Sequence, residues 1–324
     1  MAVKSILQAI NEGLDQAMDK DESIVVYGED VGYEGGVFRA TAGLQKKYGE
    51  ARVFDSPIAE AAIAGSALGM SLNGLKPVVE MQFSGFSLPA FNQIVTHVAR
   101  FRNRSRGKYH VPMVVRMPYG GGVRALEHHS ESLETLYAHI PGLKLVIPST
   151  PYDAKGLMIA AINDPDPVII MEPKRIYRAF KQDIPDEPYE VEIGKARMVK
   201  EGKDLTIIAW GALVREVEKA MKDVDVDAEI IDLRTIAPMD TETIINSVKK
   251  TGRVLVVHEA YKSFGPAAEI VSRINEDAFF YLEAAPKRLA GFDVTIPLPK
   301  GENHFIIKPE QIAYEVKKLM AEKA

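Results

Sequence analysis

The feature that most constrains the fold is a series of short, unbroken apolar runs rich in valine and isoleucine: "SIVVYG" (23–28), "RVFD" (52–55), "KPVVEM" (76–81), "VPMVVRM" (111–117), "LKLVIPS" (143–149) and "PVIIME" (167–172). A strand with one wet face alternates apolar and polar side chains. Runs that are apolar at consecutive positions therefore predict strands covered on both faces, as in a parallel α/β sheet with helices above and below. The pattern lapses between Pro173 and Lys203, where "FKQDIPDEPYEVEIGKARMVKEGKD" is charged, contains prolines and has no sustained period. It resumes with "LTIIAWG", "AEIIDLRT" and "RVLVVHEA", each followed by an amphipathic helical pattern. A last helix, "KPEQIAYEVKKLMAEKA", carries Pro309 near its start. The 324 residues have room for two domains: a larger α/β domain over 1–185, a linker region over 186–203 that can hold an edge strand, and a smaller α/β domain over 204–324.

Charge and composition exclude several classes of function. With 40 basic and 45 acidic residues the net charge is -5, which gives no global field for nucleic acid or an anionic membrane. The chain has no cysteine, so disulfides, thiolate metal sites and a cysteine nucleophile are ruled out, and a reducing compartment fits. The first segment, "MAVKSILQAINEGLDQAMDKDE", interrupts its apolar positions with Asn11, Glu12 and Asp15, which makes it an amphipathic helix rather than a secretion signal. No apolar run approaches a membrane span. The reading is a soluble, cytoplasmic protein with no nucleic-acid or membrane partner.

One glutamate stands out. In "DSPIAEAAIAG" (55–65), Ser56 is suited to cap a helix and Pro57 to open it, which puts Glu60 in the first or second turn. An acid there complements the helix dipole by ~0.3–1 kcal/mol. A capping box would instead need the acid three residues after the cap, where Ala59 stands. The small residues that follow, Ala61, Ala62, Ala64, Gly65, Ala67 and Gly69, let a backbone or a ligand approach closely. A carboxyl poorly hydrated beside such a surface has a raised pKa and favours a partner that shares its proton.

Three further clusters follow strands. "EMQFSGFSLPAFNQIV" brings Phe83, Phe86 and Phe91 to a strand's carboxyl end, and Phe86, next to Gly85, can present a flat face to a heteroaromatic ring, or can be ordinary core. Glu29 and Asp30 close the strand "VVYGEDVG" at the same edge, either as ligands or as a plain polar loop. "GGGVRALEHHSES" matches a dinucleotide fingerprint in form, but Pro118 interrupts the turn and no acid closes the next strand to hold a ribose. Adjacent His128 and His129 lack the i, i+4 spacing of a zinc helix, so a glycine-rich loop carrying one catalytic histidine fits better. The basic run from Arg100 to Lys108 follows a helix, where cations suit the C-terminal dipole, and reads as a solvated or intersubunit face.

Taken together, "DSPIAEAAIAG", "FSGFSLPAFNQI", "EHHSES…HIPGLKLVIPSTPYDAKGL" and "DLRTIAPMD" resemble the beta subunits of the decarboxylating components of 2-oxo acid dehydrogenase complexes, in the bacterial pyruvate dehydrogenase branch, over essentially the whole chain. The resemblance implies a transketolase-like fold, with a pyrimidine-binding domain followed by the transketolase C-terminal domain. It implies that Glu60 meets the ring nitrogen of the aminopyrimidine of thiamin diphosphate and that Phe86 packs on that ring, with Glu29 also in the cofactor pocket. His129, rather than His128, is then the histidine that serves reductive acetylation of a lipoyl group. The backbone oxygens of Met113, Ala161, Ile162, Asp164 and Asp166 correspond to a potassium (K⁺) site. The Gly-Asp-Gly motif that binds Mg²⁺ and the diphosphate is missing, since "GED" at Gly28 is not that motif. The resemblance assigns it to an alpha subunit, in an assembly of two alpha and two beta chains. The other implied partners are the subunit-binding and lipoyl domains of a dihydrolipoyl acyltransferase, with Glu276, Asp277, Glu283 and Asp293 as docking candidates. "MEPKRIYRA" is also similar to branched-chain relatives. Branched-chain 2-oxo acid or acetoin dehydrogenase, or a noncatalytic scaffold of the same fold, are therefore the alternatives.

Overall fold

The computed structural model describes residues 2–322. In chain order its strands are β1 Ala2–Lys4, β2 Ile24–Gly28, β3 Val53–Asp55, β4 Lys76–Glu80, β5 Val114–Tyr119, β6 Lys144–Val146, β7 Val168–Pro173, β8 Gln182–Ile184, β9 Arg197–Lys200, β10 Leu205–Ala209, β11 Ala228–Asp232, β12 Thr235–Ala237, β13 Val254–Tyr261 and β14 Lys287–Gly291. The first sheet has the order β12-β6-β7-β5-β4-β2-β3 and is parallel except for β12. The second has the order β14-β13-β10-β11-β9 and is parallel except for β9. A two-stranded antiparallel ribbon pairs β1 with β8.

Burial explains the unbroken apolar runs. Every residue of β2, β5, β7, β10 and β11 is buried. Neighbouring residues on one strand enter opposite cores: Val26, Val78 and Ile207 point into one apolar cluster, Tyr27, Val79 and Ile208 into the other. Each cluster spans both sheets, so the two α/β units share their cores. One face of the first sheet is covered by the helix Ile6–Lys20, capped by Ser5 and packed on the helix Pro151–Asn163. Gly13 eases their approach, since a Cβ there would lie 3.3 Å from the Lys155 carbonyl oxygen.

Two local expectations are corrected. Ser56 does not cap the helix of Glu60: its N–H donates to the Gly28 carbonyl at 2.9 Å, which holds it beside β2 as a continuation of the sheet. The helix Glu60–Leu72 instead begins after Ala59, without a side-chain cap, and Glu60 is its first residue. The helix expected before the basic run at Arg100 is broken: a 3₁₀ turn at Ser84–Ser87, an α-helix at Leu88–Gln93, a π-helical turn at Ile94–Val98 and a short helix at Phe101–Arg104. Such π turns occur often beside functional sites. The region read as a linker contributes β9 to the second sheet, and the chain returns to the first sheet through β12.

Candidate active site

Register places Gly28, Asp55 and Glu80 side by side at the carboxyl edge of the first sheet. The loops leaving that edge are tied to each other. Gly32 donates its N–H to Asp55 at 2.6 Å, Gln82 donates to Asp30 at 3.0 Å, and the Ser84 hydroxyl donates to the Glu131 carbonyl at 2.6 Å. Segments 29–33, 55–60, 82–86 and 128–131 thus form one continuous rim, the position where open parallel sheets bind ligands.

Glu29 and Glu60 sit on this rim after adjacent strands. Glu29 is 5% exposed, and its carboxyl is pushed up from the ordinary range by burial first and then by the charges of Glu60 and Asp30. The helix behind Glu60 leaves Ala61, Ala62, Ser66 and Gly69 exposed. Beside this apolar rim Ile58 is 84% exposed and Tyr33 85% exposed, as large hydrophobics rarely are.

Phe86 and His129 are brought together. Their ring centroids lie 5.0 Å apart in an edge contact, and Phe83 meets both, at 5.4 Å from Phe86 and 4.6 Å from His129. Gly85 is needed for this approach, since a Cβ there would lie 2.2 Å from the His128 carbonyl oxygen. His129 is half-buried and its Nδ1 is enclosed without a hydrogen-bond partner. His128 is exposed, with its ring 6.4 Å from Phe86. Of the two histidines, His129 is the one that packs against the aromatic pair, with its Nδ1 shielded from solvent.

The five residues of the potassium expectation lie at the opposite, amino edge of the same sheet. Met113 precedes β5, and Ala161 and Ile162 end the helix Pro151–Asn163 just before β7. A helix end presents carbonyls without intrahelical partners and a negative dipole end, which suits a cation. The Met113 carbonyl accepts from Val168 at 3.0 Å and the Ala161 carbonyl from Asp164 at 3.4 Å, and each keeps a second lone pair. The Asp164 and Asp166 carboxylates are engaged by Lys144 and Arg102, both at 2.5 Å.

Sequence reasoning missed a buried ionic chain behind the rim. Arg116, 1% exposed, makes two bonds to Glu172, at 2.8 and 2.7 Å, and also pairs with Glu80, while the Tyr177 hydroxyl donates to Glu172. The only trace in the sequence is an acid closing an apolar strand, as in "KPVVEM" and "PVIIME". Lys174 was also missed. Its ammonium donates to the Gly120 carbonyl and lies 5.9 Å from the centre of the Phe83 ring, and burial lowers its pKa to about 8.

Comparison with known proteins agrees with this architecture. Residues 3–179 match the family model of the transketolase pyrimidine binding domain, and residues 194–312 that of the transketolase C-terminal domain. A split-gene transketolase structure, an inactive beta4 tetramer, superposes with a TM-score of 0.80 over 99% of this chain and 100% of that chain; at 20% identity it shows the fold alone. The chain is 65% identical over 322 residues to the pyruvate dehydrogenase E1 component subunit beta of Acholeplasma laidlawii, covering 98% of each. It is 48% identical to the subunit of that name from Bacillus subtilis and 45% identical to that from Staphylococcus aureus, covering 99% of each chain in both cases. On identity of this extent, the chain belongs to the family of pyruvate dehydrogenase E1 component beta subunits.

Proposed function

We propose that this chain works with an alpha subunit, in an assembly of two alpha and two beta chains, as a thiamin diphosphate-dependent pyruvate dehydrogenase that acetylates lipoyl groups. The observation that carries the reading is the 65% identity maintained over 98% of both chains. Support from the site is the meeting, on one rim, of an enclosed carboxyl sensing Glu60, an available aromatic ring and an unspent imidazole nitrogen. That donor set fits an aminopyrimidine and an acyl transfer. It does not include a diphosphate clamp, which the reading assigns with Mg²⁺ to the alpha chain.

When bound, the cofactor supplies a carbanion nucleophile and an electron sink for the loss of carbon dioxide from a 2-oxo acid. Glu60 would hold a proton at the ring nitrogen of the aminopyrimidine, with Glu29 lining the same pocket. Phe86 would pack on the ring and exclude water. His129 would give or take a proton through its imidazole as the acyl group passes to a lipoyl sulfur. Tyr33, Ile58 and the exposed small residues of the Glu60 helix offer the apolar surface that an alpha chain would cover. The carbonyls of Met113, Ala161 and Ile162, with Asp164 and Asp166, are the proposed seat of a structural potassium ion, remote from the chemistry. The acyltransferase's subunit-binding domain would dock on the second α/β unit. There Glu283 is already paired with Arg253, Asp293 accepts from Ser263 and Glu276 from Ser272, which leaves exposed Asp277 as the better candidate.

The test is reconstitution with the alpha chain and an assay on pyruvate, branched-chain 2-oxo acids and acetoin. Pyruvate is expected to turn over fastest, and the isolated beta chain to bind thiamin diphosphate weakly and to be inactive. Preference for another substrate would overturn the pyruvate assignment. Tight Mg²⁺-dependent cofactor binding by beta alone would overturn the placement of the clamp.

A further inference from the structure

The glycine loop between β5 and the 3₁₀ turn Glu127–His129 has no regular secondary structure, and three of its residues are left-handed: Gly120 at φ 80°, Gly122 at φ 92° and Arg124 at φ 56°. Gly120 closes the loop by donating its N–H to the Glu131 carbonyl at 3.0 Å, but the next donors bond outside it. Gly121 donates to Glu259 of β13, and Gly122 and Arg124 donate to the two oxygens of Glu302 at 2.7 and 2.8 Å. Both carboxylates come from the second α/β unit, 138 to 180 residues away along the chain, and Glu302 is 1% exposed. The glycines leave room for them: a Cβ at Gly120 would lie 2.9 Å from Glu259 Oε1, and one at Gly121 would lie 3.0 Å from Glu302 Oε1. On the other side of the loop, Lys174 donates to the Gly120 carbonyl and reaches over the ring of Phe83, which touches His129.

We infer that Glu302, with Glu259, is a positioning residue: the second α/β unit holds the glycine loop by its N–H groups and thereby fixes where His129 stands. The inference rests on the reading of His129 as the acyl-transfer histidine. A carboxylate accepting backbone N–H bonds binds roughly twice as strongly as a neutral acceptor. One that accepts two N–H groups separated by a residue also fixes the turn between them. Without it, the loop keeps its glycines and the bonds at Gly120 but loses the contacts that fix Gly122 to Arg124. A displacement of ~1 Å in a reacting group costs ~100-fold in rate. The loss should fall on the step that uses His129 and spare the step that uses Glu60, because Glu60 lies on a different helix and receives no bond from this loop.

The experiment uses the enzyme reconstituted with its alpha chain and compares Glu302→Gln with Glu310→Gln, an exposed control on the following helix. Two quantities are measured: hydrogen exchange in the 120–126 segment, and the two half-reactions, decarboxylation with an artificial electron acceptor and acetyl transfer to a lipoyl domain. In Glu302→Gln, exchange in the segment should rise at least ~10-fold and acetyl transfer should fall ~10- to 100-fold, several times more than decarboxylation. The control should change neither. If Glu302→Gln does not assemble, Gly121→Ala pushes the carboxylate away from the loop side and should give the same asymmetry. Unchanged exchange, or faster exchange with equal losses in both half-reactions, overturns the inference. His129→Ala run alongside separates the two layers: if it shows no asymmetry, the assignment of His129 fails, while the exchange data still report whether Glu302 holds the loop.

Discussion

In the first sheet, Glu29 follows β2 and faces Glu60, and among the described residues neither carboxylate is taken up by a hydrogen bond or an ion pair. In the second sheet, Asp232 ends β11 and Glu259 lies in β13, and both are spent within the chain. Asp232 accepts from Ser149 and from Arg197 at 3.1 Å, and Glu259 accepts from Gly121. The first sheet also spends acids internally, Glu80 and Glu172 on Arg116, but Glu29 and Glu60 beyond its strand ends are left for something outside the chain, while Asp232 and Glu259 fasten the two units together. The difference follows from cover. The acids of the second sheet abut the first unit, whereas the rim of Glu29 and Glu60 is bordered by exposed Tyr33 and Ile58. An acid at a strand's carboxyl end is therefore not evidence of a site until its partners have been accounted for.

The sharpest way to break this comparison is Glu60→Gln. An amide cannot share the proton that a carboxylate holds, and positioned proton transfer contributes ~100- to 10,000-fold in rate. Decarboxylation by the reconstituted enzyme should fall by at least ~100-fold with assembly intact, since Glu60 makes no bond that holds the fold. Near-normal turnover would return Glu60 to the role of an acid that complements the dipole of its helix. The next effect in size separates the histidines. His129→Ala should lower acetyl transfer ~10- to 100-fold more than decarboxylation, while His128→Ala, exposed and farther from Phe86, should stay within ~3-fold of the wild type in both. A larger effect from His128 would show that the loop turns its other face to the chemistry.

How much of this was legible in the sequence depends on the range of the interactions. The parallel sheets could be read because burial on both faces writes itself into consecutive residues such as "IVVYG" and "LTIIA". Glu60, Phe86 and His129 could be singled out as candidates because each follows a strand's carboxyl end, Glu60 and Phe86 closely and His129 at the far end of a glycine-rich loop. The cap of the Glu60 helix was misjudged because Ser56 has the local chemistry of a cap, but a tertiary bond from its N–H to Gly28 keeps it in the sheet. The break in the helix after Phe83 was invisible because its residues, "LPAFNQIVTHV", fit an α-helix as well as a π turn. The Glu302 bonds to Gly122 and Arg124 cross 180 and 178 residues, and no local pattern encodes them.

The smallest expected effect concerns stability rather than rate and sharpens the other half of the comparison. Glu134 is fully buried where the two units meet, accepts from Trp210 Nε1 at 3.3 Å through one oxygen, and keeps the other, Oε2, enclosed without a partner. Burial raises its pKa from 4.5 to about 7. The folded state therefore binds a proton more tightly than the unfolded chain between those values. The stability this group allows is full below pH ~4.5 and is lost as the pH rises through ~7. Glu134→Gln keeps an acceptor for Trp210 and cannot ionise. Relative to the wild type, the variant should gain about 2–3 kcal/mol between pH 5 and pH 8, measured by denaturant unfolding. Acetyl transfer should be unchanged at either pH, because Glu134 faces the interior and not the rim. Equal pH profiles for the two proteins would mean that Glu134 is hydrated in solution. A loss of activity in Glu134→Gln would mean that the acids of the interior and the acids of the rim are one system, and the contrast between the two sets would fail.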